Sequence, residues 1–107
     1  MSTGHAGDDQ LLAQIAERSN LMAPRHWVHY LYSANEASAR RAAVDIEAGG
    51  WEIQKVDVEA QGSGWVVIAE QHDVVTSPDA VRAAREFFEG VAASVEGGDY
   101  DGWEASV

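Results

Sequence analysis

The sequence contains no cysteine, a single lysine (Lys55) and only two prolines among its 107 residues. Without cysteine, disulfides, thiolate metal ligands and a cysteine nucleophile are excluded, and we expect a reducing, cytoplasmic setting. No apolar run approaches the ~20 residues that a membrane helix needs, so we expect no membrane association. The segment Met1 to His5 has neither a basic nor an apolar stretch, and we therefore expect no secretory signal.

Positive charge is also scarce, because 7 Lys and Arg stand against 18 Asp and Glu for a net charge of −11. Such a surface repels phosphate backbones, which disfavours direct binding to nucleic acid. It favours encounter with a basic protein, whose approach it would steer. The alternative interpretation is that the acidic residues only maintain solubility.

The chain has the length of one domain, and its 46% hydrophobic and 23% charged residues are typical of a folded protein. We predict an N-terminal helix over residues 10–20, with Asp8 and Asp9 as caps. A second helix begins at a capping box over residues 33–36 and ends at Gly49-Gly50. A third has Ser77 as cap and Pro78 in its first position, and ends at Gly97-Gly98. Strands are predicted over residues 25–32, 51–59, 65–75 and 100–107.

This order, a helix followed by β-α-β-β-α-β, predicts an α+β fold: a ferredoxin-like two-layer sandwich. Its four-stranded antiparallel sheet would carry both long helices on one face. We assign residues 1–24 to an N-terminal tail and helix, and residues 25–107 to the domain. A hairpin turn at Gln61-Gly62-Ser63-Gly64 would join the two middle strands.

The first strand presents two rows that are both largely apolar. One row is Trp27-His29-Leu31 and the other is Val28-Tyr30-Tyr32. Since helices cover only one face of such a sheet, one row should lie on the open face. The N-terminal helix, strand-edge pairing with a second copy, or a partner protein are three ways to cover it.

The sequence predicts no metal site, no cofactor and no catalytic residues, and hence no enzyme. His26 and His29 are three residues apart on a strand and point to opposite faces, although His72 could lie across from one of them. With no thiolate and no further histidine cluster, a zinc site is not expected. Asp99 and Asp101 share a strand face, where carboxylates are usually solvated. Ser33 and Ser77 are explained as helix caps.

The end of the chain, Asp99-Tyr100-Asp101-Gly102-Trp103-Glu104, carries the most specific pattern. A glycine inside a strand often marks a bulge. Tyr100 and Trp103 are an odd number of residues apart, so they point to opposite faces unless a bulge intervenes.

This segment resembles the Glu-Tyr-Asp-Gly-Trp motif of the regulator of ribonuclease E activity B family. Gly50-Trp51-Glu52-Ile53 is similar to that family's start of the second strand, and residues 33–36 to its strand-to-helix turn. The similarity covers roughly residues 25–107. It implies a ferredoxin-like, non-catalytic protein that binds ribonuclease E and alters RNA decay. Enterobacterial members continue past the motif into a long acidic tail, whereas this sequence ends at Val107. This difference bears on the function that the resemblance implies and not on the implied fold.

We therefore expect a monomer or weak homodimer that binds and modulates ribonuclease E, or a related RNA-decay enzyme, with inhibition as the expected effect. One alternative is an acidic blocker of another basic protein, of the immunity or antitoxin kind. The other is a small-molecule enzyme that uses a sheet-face pocket at His29 or His72. The expected partner-binding residues are Trp27, His29, Tyr100, Asp101 and Trp103.

Overall fold

Seven regular elements follow one another in the computed structural model, which describes residues 3–59, 62 and 64–107. Their bounds are α1 (Ala6–Arg18), β1 (Arg25–Ser33), α2 (Glu36–Ala48), β2 (Glu52–Val58), β3 (Trp65–Val74), α3 (Pro78–Ala93) and β4 (Asp99–Ala105). None of the helices in the described ranges combines the length and the apolar character of a membrane-spanning segment.

The four strands form one antiparallel sheet in the order β2-β3-β1-β4. With three helices, this is the predicted α+β two-layer arrangement with an N-terminal helix, so the fold prediction is confirmed. Gln61 and Ser63 of the predicted hairpin turn lie outside the described residues. The ends of β2 and β3 are joined by a hydrogen bond of 2.9 Å that the amide of Glu59 donates to the carbonyl of Gly64.

Two predicted helix starts were wrong. Helix α1 begins after His5, whose ring accepts a hydrogen bond from the amide of Asp8, so Asp8 lies within the first turn and does not cap. Helix α2 is capped by Asn35 through a capping box. The Asn35 side chain accepts from the amide of Ser38, and the Ser38 side chain accepts from the amide of Asn35. The predicted box began two residues earlier, because Ser33 is still part of β1. Several neighbouring residues can act as a helix cap by type and spacing. Which of them does so depends on where the preceding segment ends, and the spacing alone does not give that.

Helix α3 begins as predicted, with the Ser77 side chain accepting from the amide of Ala80 and Pro78 in the first turn. Its last residue is Ala93, so the Gly97-Gly98 pair belongs to the following turn. Gly98 is required there, since a Cβ at this position would lie 1.9 Å from the carbonyl oxygen of Ala92.

The core lies between the sheet and the helices. Its largest fully buried side chains include Phe88 and Leu31, at 0% and 1% exposure, and the apolar residues Leu12 and Ile15 of α1 join the same cluster. Helix α1 therefore packs on the helix-covered face. The interpretation in which α1 covers the opposite face of the sheet is wrong. That opposite face, called the open face below, carries the row Val28-Tyr30-Tyr32.

The cap assignment can be tested by unfolding. We expect Asn35→Ala to lower the free energy of unfolding by about 1 kcal/mol, because the backbone amide of Ser38 in the first turn of α2 loses the Asn35 side chain as its acceptor. Chemical denaturation of both variants would compare it with Glu36→Ala, which removes only an exposed ion pair to Arg40 and should cost no more than about 0.5 kcal/mol. Equal losses for the two variants would contradict the assignment.

Candidate functional site

A β-bulge in the terminal motif decides where its aromatic side chains go. Gly102 lies opposite Tyr30 and Tyr100 lies opposite Leu31, so the register shifts between Tyr30 and Leu31 and Asp101 is the extra residue. Gly102 adopts φ +108°, a conformation open mainly to glycine. The sequence left a bulge open as one explanation of Gly102, and the register shift shows that a bulge is present. It puts Tyr100 and Trp103 on the same, helix-covered face.

Trp103 and Arg85 meet in a buried hydrogen-bond network around Asp8. The Asp8 carboxylate is 3% exposed and accepts from Trp103 Nε1 at 3.0 Å. It also accepts from Arg85 Nε at 2.6 Å and from Nη2 at 3.0 Å. Burial by itself raises the pKa of Asp8, but the hydrogen bonds from Arg85 and Trp103 outweigh it and lower the pKa below its ordinary value. The carboxylate thus ties α1, α3 and β4 together as an anion.

His29 is the other buried polar group beside this network. Its Nδ1 lies 2.7 Å from the hydroxyl of Tyr100, and its ring stacks on Phe88 at 4.3 Å between centroids. Burial lowers the pKa of His29 to about 3. Its Nε2 has no hydrogen-bond partner within the described ranges, so a protonated ring would carry an unpaired buried N–H. His29 is therefore a neutral core residue.

Of the five residues expected at a partner surface, the structure brings four together in the interior. Trp27, His29 and Trp103 are 3%, 1% and 8% exposed, and Tyr100 is half-buried beside them. These side chains hold the layers together and present little surface to a partner. Asp101 alone is exposed, at the bulge on the outer strand β4. The motif is thus mainly architectural, and its acidic residue is the part that reaches solvent.

The open face combines tyrosines with carboxylates. Tyr30 donates a hydrogen bond of 2.6 Å to Glu104, and this bond, with burial, raises the pKa of Tyr30 to about 12. Burial and then the charges of Asp101, Glu59 and Asp99 raise the pKa of Tyr32. A depression runs along this face between β1, β2 and β3, lined by Tyr30, Tyr32, Lys55, Val58, Glu59, Val66 and Ile68. Sequence reasoning identified the tyrosine row but not Glu104 or Glu59, because cross-strand neighbours depend on register.

Both outer strands are unsuited to strand-edge pairing with a second copy. Strand β4 has the bulge at Asp101, and β2 has another at Gln54, where the register shifts between Ile53 and Lys55. Bulges twist an edge and interrupt its row of hydrogen-bonding groups. This favours a face, not an edge, as the contact surface.

At the other end of the open face, His72 lies across from His26, which was one of the two positions the sequence left open. The two rings are stacked at 4.4 Å between centroids, and Glu70 Oε1 lies within 3.1 Å of the Nε2 atom of each. Glu70 was missed from the sequence, where a lone glutamate in an apolar strand carries no signal.

The Asp8 network predicts a stability loss. Asp8→Asn should lower the free energy of unfolding by about 3 kcal/mol, since it removes the buried anion of the Arg85 guanidinium and leaves the exposed Glu89 as its ion-pair partner. Asp79→Asn is the matched control, because Asp79 pairs with Arg82 at the surface and should matter by no more than about 0.5 kcal/mol. Urea denaturation at pH 7 measures both. A loss for Asp8→Asn no larger than the control would refute the anchoring role.

His29 predicts a loss of stability in acid. The unfolded chain takes up a proton at this residue below about pH 6.5, whereas the folded chain does so only near pH 3. The free energy of unfolding should therefore fall by about 1.4 kcal/mol per pH unit between about pH 6 and pH 5. His29→Gln should lose that slope in thermal or urea unfolding. A slope unchanged by the substitution would mean that His29 is protonated in the fold.

The family model described as regulator of ribonuclease activity B matches residues 5–105, which include α1 and the terminal motif. No curated protein matches the chain. The family match takes in the Asp8–Arg85–Trp103 network, the bulge and the open face. Since it covers nearly the whole chain, the protein belongs to the regulator of ribonuclease activity B family.

Proposed function

We propose that this chain binds ribonuclease E, or a related RNA-decay enzyme, through the open face of its sheet and lowers that enzyme's activity. Membership of a family of ribonuclease activity regulators supports the target class. The distribution of charge over the two faces is the observation that carries the choice of surface.

The open face is acidic, and the basic residues lie mostly on the other layer. Five of the seven basic residues lie on the helices: Arg18, Arg40, Arg41, Arg82 and Arg85. The open face carries a series of carboxylates, from Asp57, Glu70, Asp99 and Glu104, with Asp101 at its edge, and its cation Lys55 lies 3.7 Å from Asp57. The helices also carry nine Asp and Glu, so the open face differs from the helix layer in having fewer cations among its carboxylates. An acidic face poor in cations steers and orients a basic partner. It also repels RNA, so regulation would act through the enzyme and not through its substrate.

The tyrosines supply the contact area that charge does not. Tyr30 and Tyr32 are half-exposed in the middle of the acidic face, next to Ile68. Tyrosine is enriched at protein interfaces because its ring buries apolar area while its hydroxyl stays hydrogen-bonded. The raised pKa of Tyr30 keeps its hydroxyl protonated at neutral pH. A basic segment that carries apolar side chains would fit this combination.

The enzyme alternative receives no support from His29, which is 1% exposed and packed between Trp51 and Phe88. An acidic blocker of some other basic protein would use the same open face. The identity of the partner separates that alternative from ribonuclease regulation. Binding as a monomer fits the two bulged sheet edges.

Direct binding to purified ribonuclease E tests the proposal, with biolayer interferometry for affinity and cleavage of a labelled RNA for activity. Asp101→Lys and Glu104→Lys reverse charge on the proposed surface, so each should weaken binding severalfold and relieve inhibition, mainly through slower association. Glu86→Lys makes the same charge change on the exposed side of α3 and should bind as the wild type does.

Two results would contradict the proposal in different ways. If the wild-type protein neither binds the enzyme nor changes the cleavage rate, the assigned function is wrong. If it binds and Glu86→Lys weakens binding as much as the other two variants do, the assigned surface is wrong and general charge accounts for the effect.

A further inference from the structure

Three side chains on the open face point their donor atoms at one place. Glu70 Oε1 lies 2.6 Å from His26 Nε2 and 3.1 Å from His72 Nε2. The donor atoms of the three residues all lie within 4.8 Å of one another. This cluster, here called the His-Glu-His cluster, lies where β1 begins and β3 ends, away from the Tyr32 and Asp99 end of the face.

The fold brings the cluster together through a third bulge, between β1 and β3. Trp27 pairs with Gln71 and Arg25 with Val74, so residues 72–73 lie opposite His26 alone. Asp73 takes φ +56°, the only non-glycine residue in the described ranges with a positive φ. That conformation is uncommon for a residue with a side chain, and bulges of this kind often aim a side chain at a functional site. Glu70, two residues before His72, shares its face.

We infer that His26, Glu70 and His72 bind a divalent transition metal ion, with Zn²⁺ the best match to two imidazole nitrogens and one carboxylate. Zinc holds such ligands at about 2.0–2.2 Å, which places neighbouring donor atoms about 3.4 Å apart in a tetrahedron. The donors lie within 4.8 Å of one another, so small rotations of the side-chain torsions bring them to that spacing. The His26 proton that now bridges to Glu70 must also move from Nε2 to Nδ1, or leave, so that Nε2 offers its lone pair to the ion. Two histidines and a glutamate with an open fourth position form a recurring zinc ligand set.

The surroundings of the cluster favour a cation. The hydrogen bond from His26 is the main cause that holds the pKa of Glu70 below its usual value, so the carboxylate is ionised as a ligand must be. Gln54 Nε2 donates to the same oxygen at 3.3 Å and would orient it. Glu52 Oε2 lies 3.8 Å from His72 Nε2 and is available as a fourth ligand. Both imidazoles are partly exposed, at 39% and 55%, which leaves the ion a path from solvent.

The test is a titration of the metal-free full chain with Zn²⁺ in competition with a chromophoric chelator. We expect one zinc ion per chain. His72→Gln and Glu70→Gln should each weaken binding at least tenfold, since each removes one of the three ligands. His5→Asn is the matched control: it removes a histidine outside the cluster, keeps a residue suited to the helix cap, and should bind zinc as the wild type does.

Wild-type binding no tighter than that of His72→Gln, or an equal loss in His5→Asn, would overturn the inference and leave adventitious binding only. Far-UV circular dichroism checks that each variant is folded. An independent readout on the wild type is the NMR signal of the imidazoles. Zinc should shift those of His26 and His72 and leave that of buried His29 in place, and the reverse pattern would also overturn the inference.

Discussion

The one-residue bulge at Asp101 is the constraint on which the arrangement of the layers depends. Without it, strand alternation would put Tyr100 and Trp103 on opposite faces. With it, the Tyr100 hydroxyl lies 2.7 Å from His29 of β1, and Trp103 donates to Asp8 of α1, which also accepts from Arg85 of α3. Strand β4 is thus joined to β1 and to two helices. The bulge needs a positive φ at residue 102, and glycine adopts that conformation without steric cost. The terminal motif of this chain is thus first a structural one.

Two buried ionisable groups, Asp8 and His29, are stabilised in the interior in different ways. Asp8 stays charged because it accepts from Arg85 and Trp103, which compensate for the loss of water. Within the described residues, His29 has one hydrogen-bond partner, Tyr100. Burial lowers its pKa more than the charge of Asp8 raises it, so the ring stays neutral. The same low-polarity environment therefore fixes opposite ionisation states in two neighbouring groups.

Packing all three helices on one side leaves the open face free for function. That face has two distinct ends. The end near Asp99 and Asp101 offers carboxylates around Tyr32, while the other offers two imidazoles around Glu70. A cation bound at Glu70 would reduce the negative charge at that end of the open face and leave the carboxylates of the other end for a basic partner.

The sequence by itself determined the element order, the ferredoxin-like sheet and the Ser77 cap, because these follow from local periodicity and from residues with restricted backbone preferences; Gly102 indicated a bulge without deciding it. It also determined the acidic balance. Only the tertiary structure decided that α1 joins the helix layer, that Trp27, His29 and Trp103 are interior, and that Asp8 pairs with Arg85. These contacts join residues up to 95 positions apart. Their partners depend on strand register and on layer packing, which are set by the whole core and leave no local trace in the sequence.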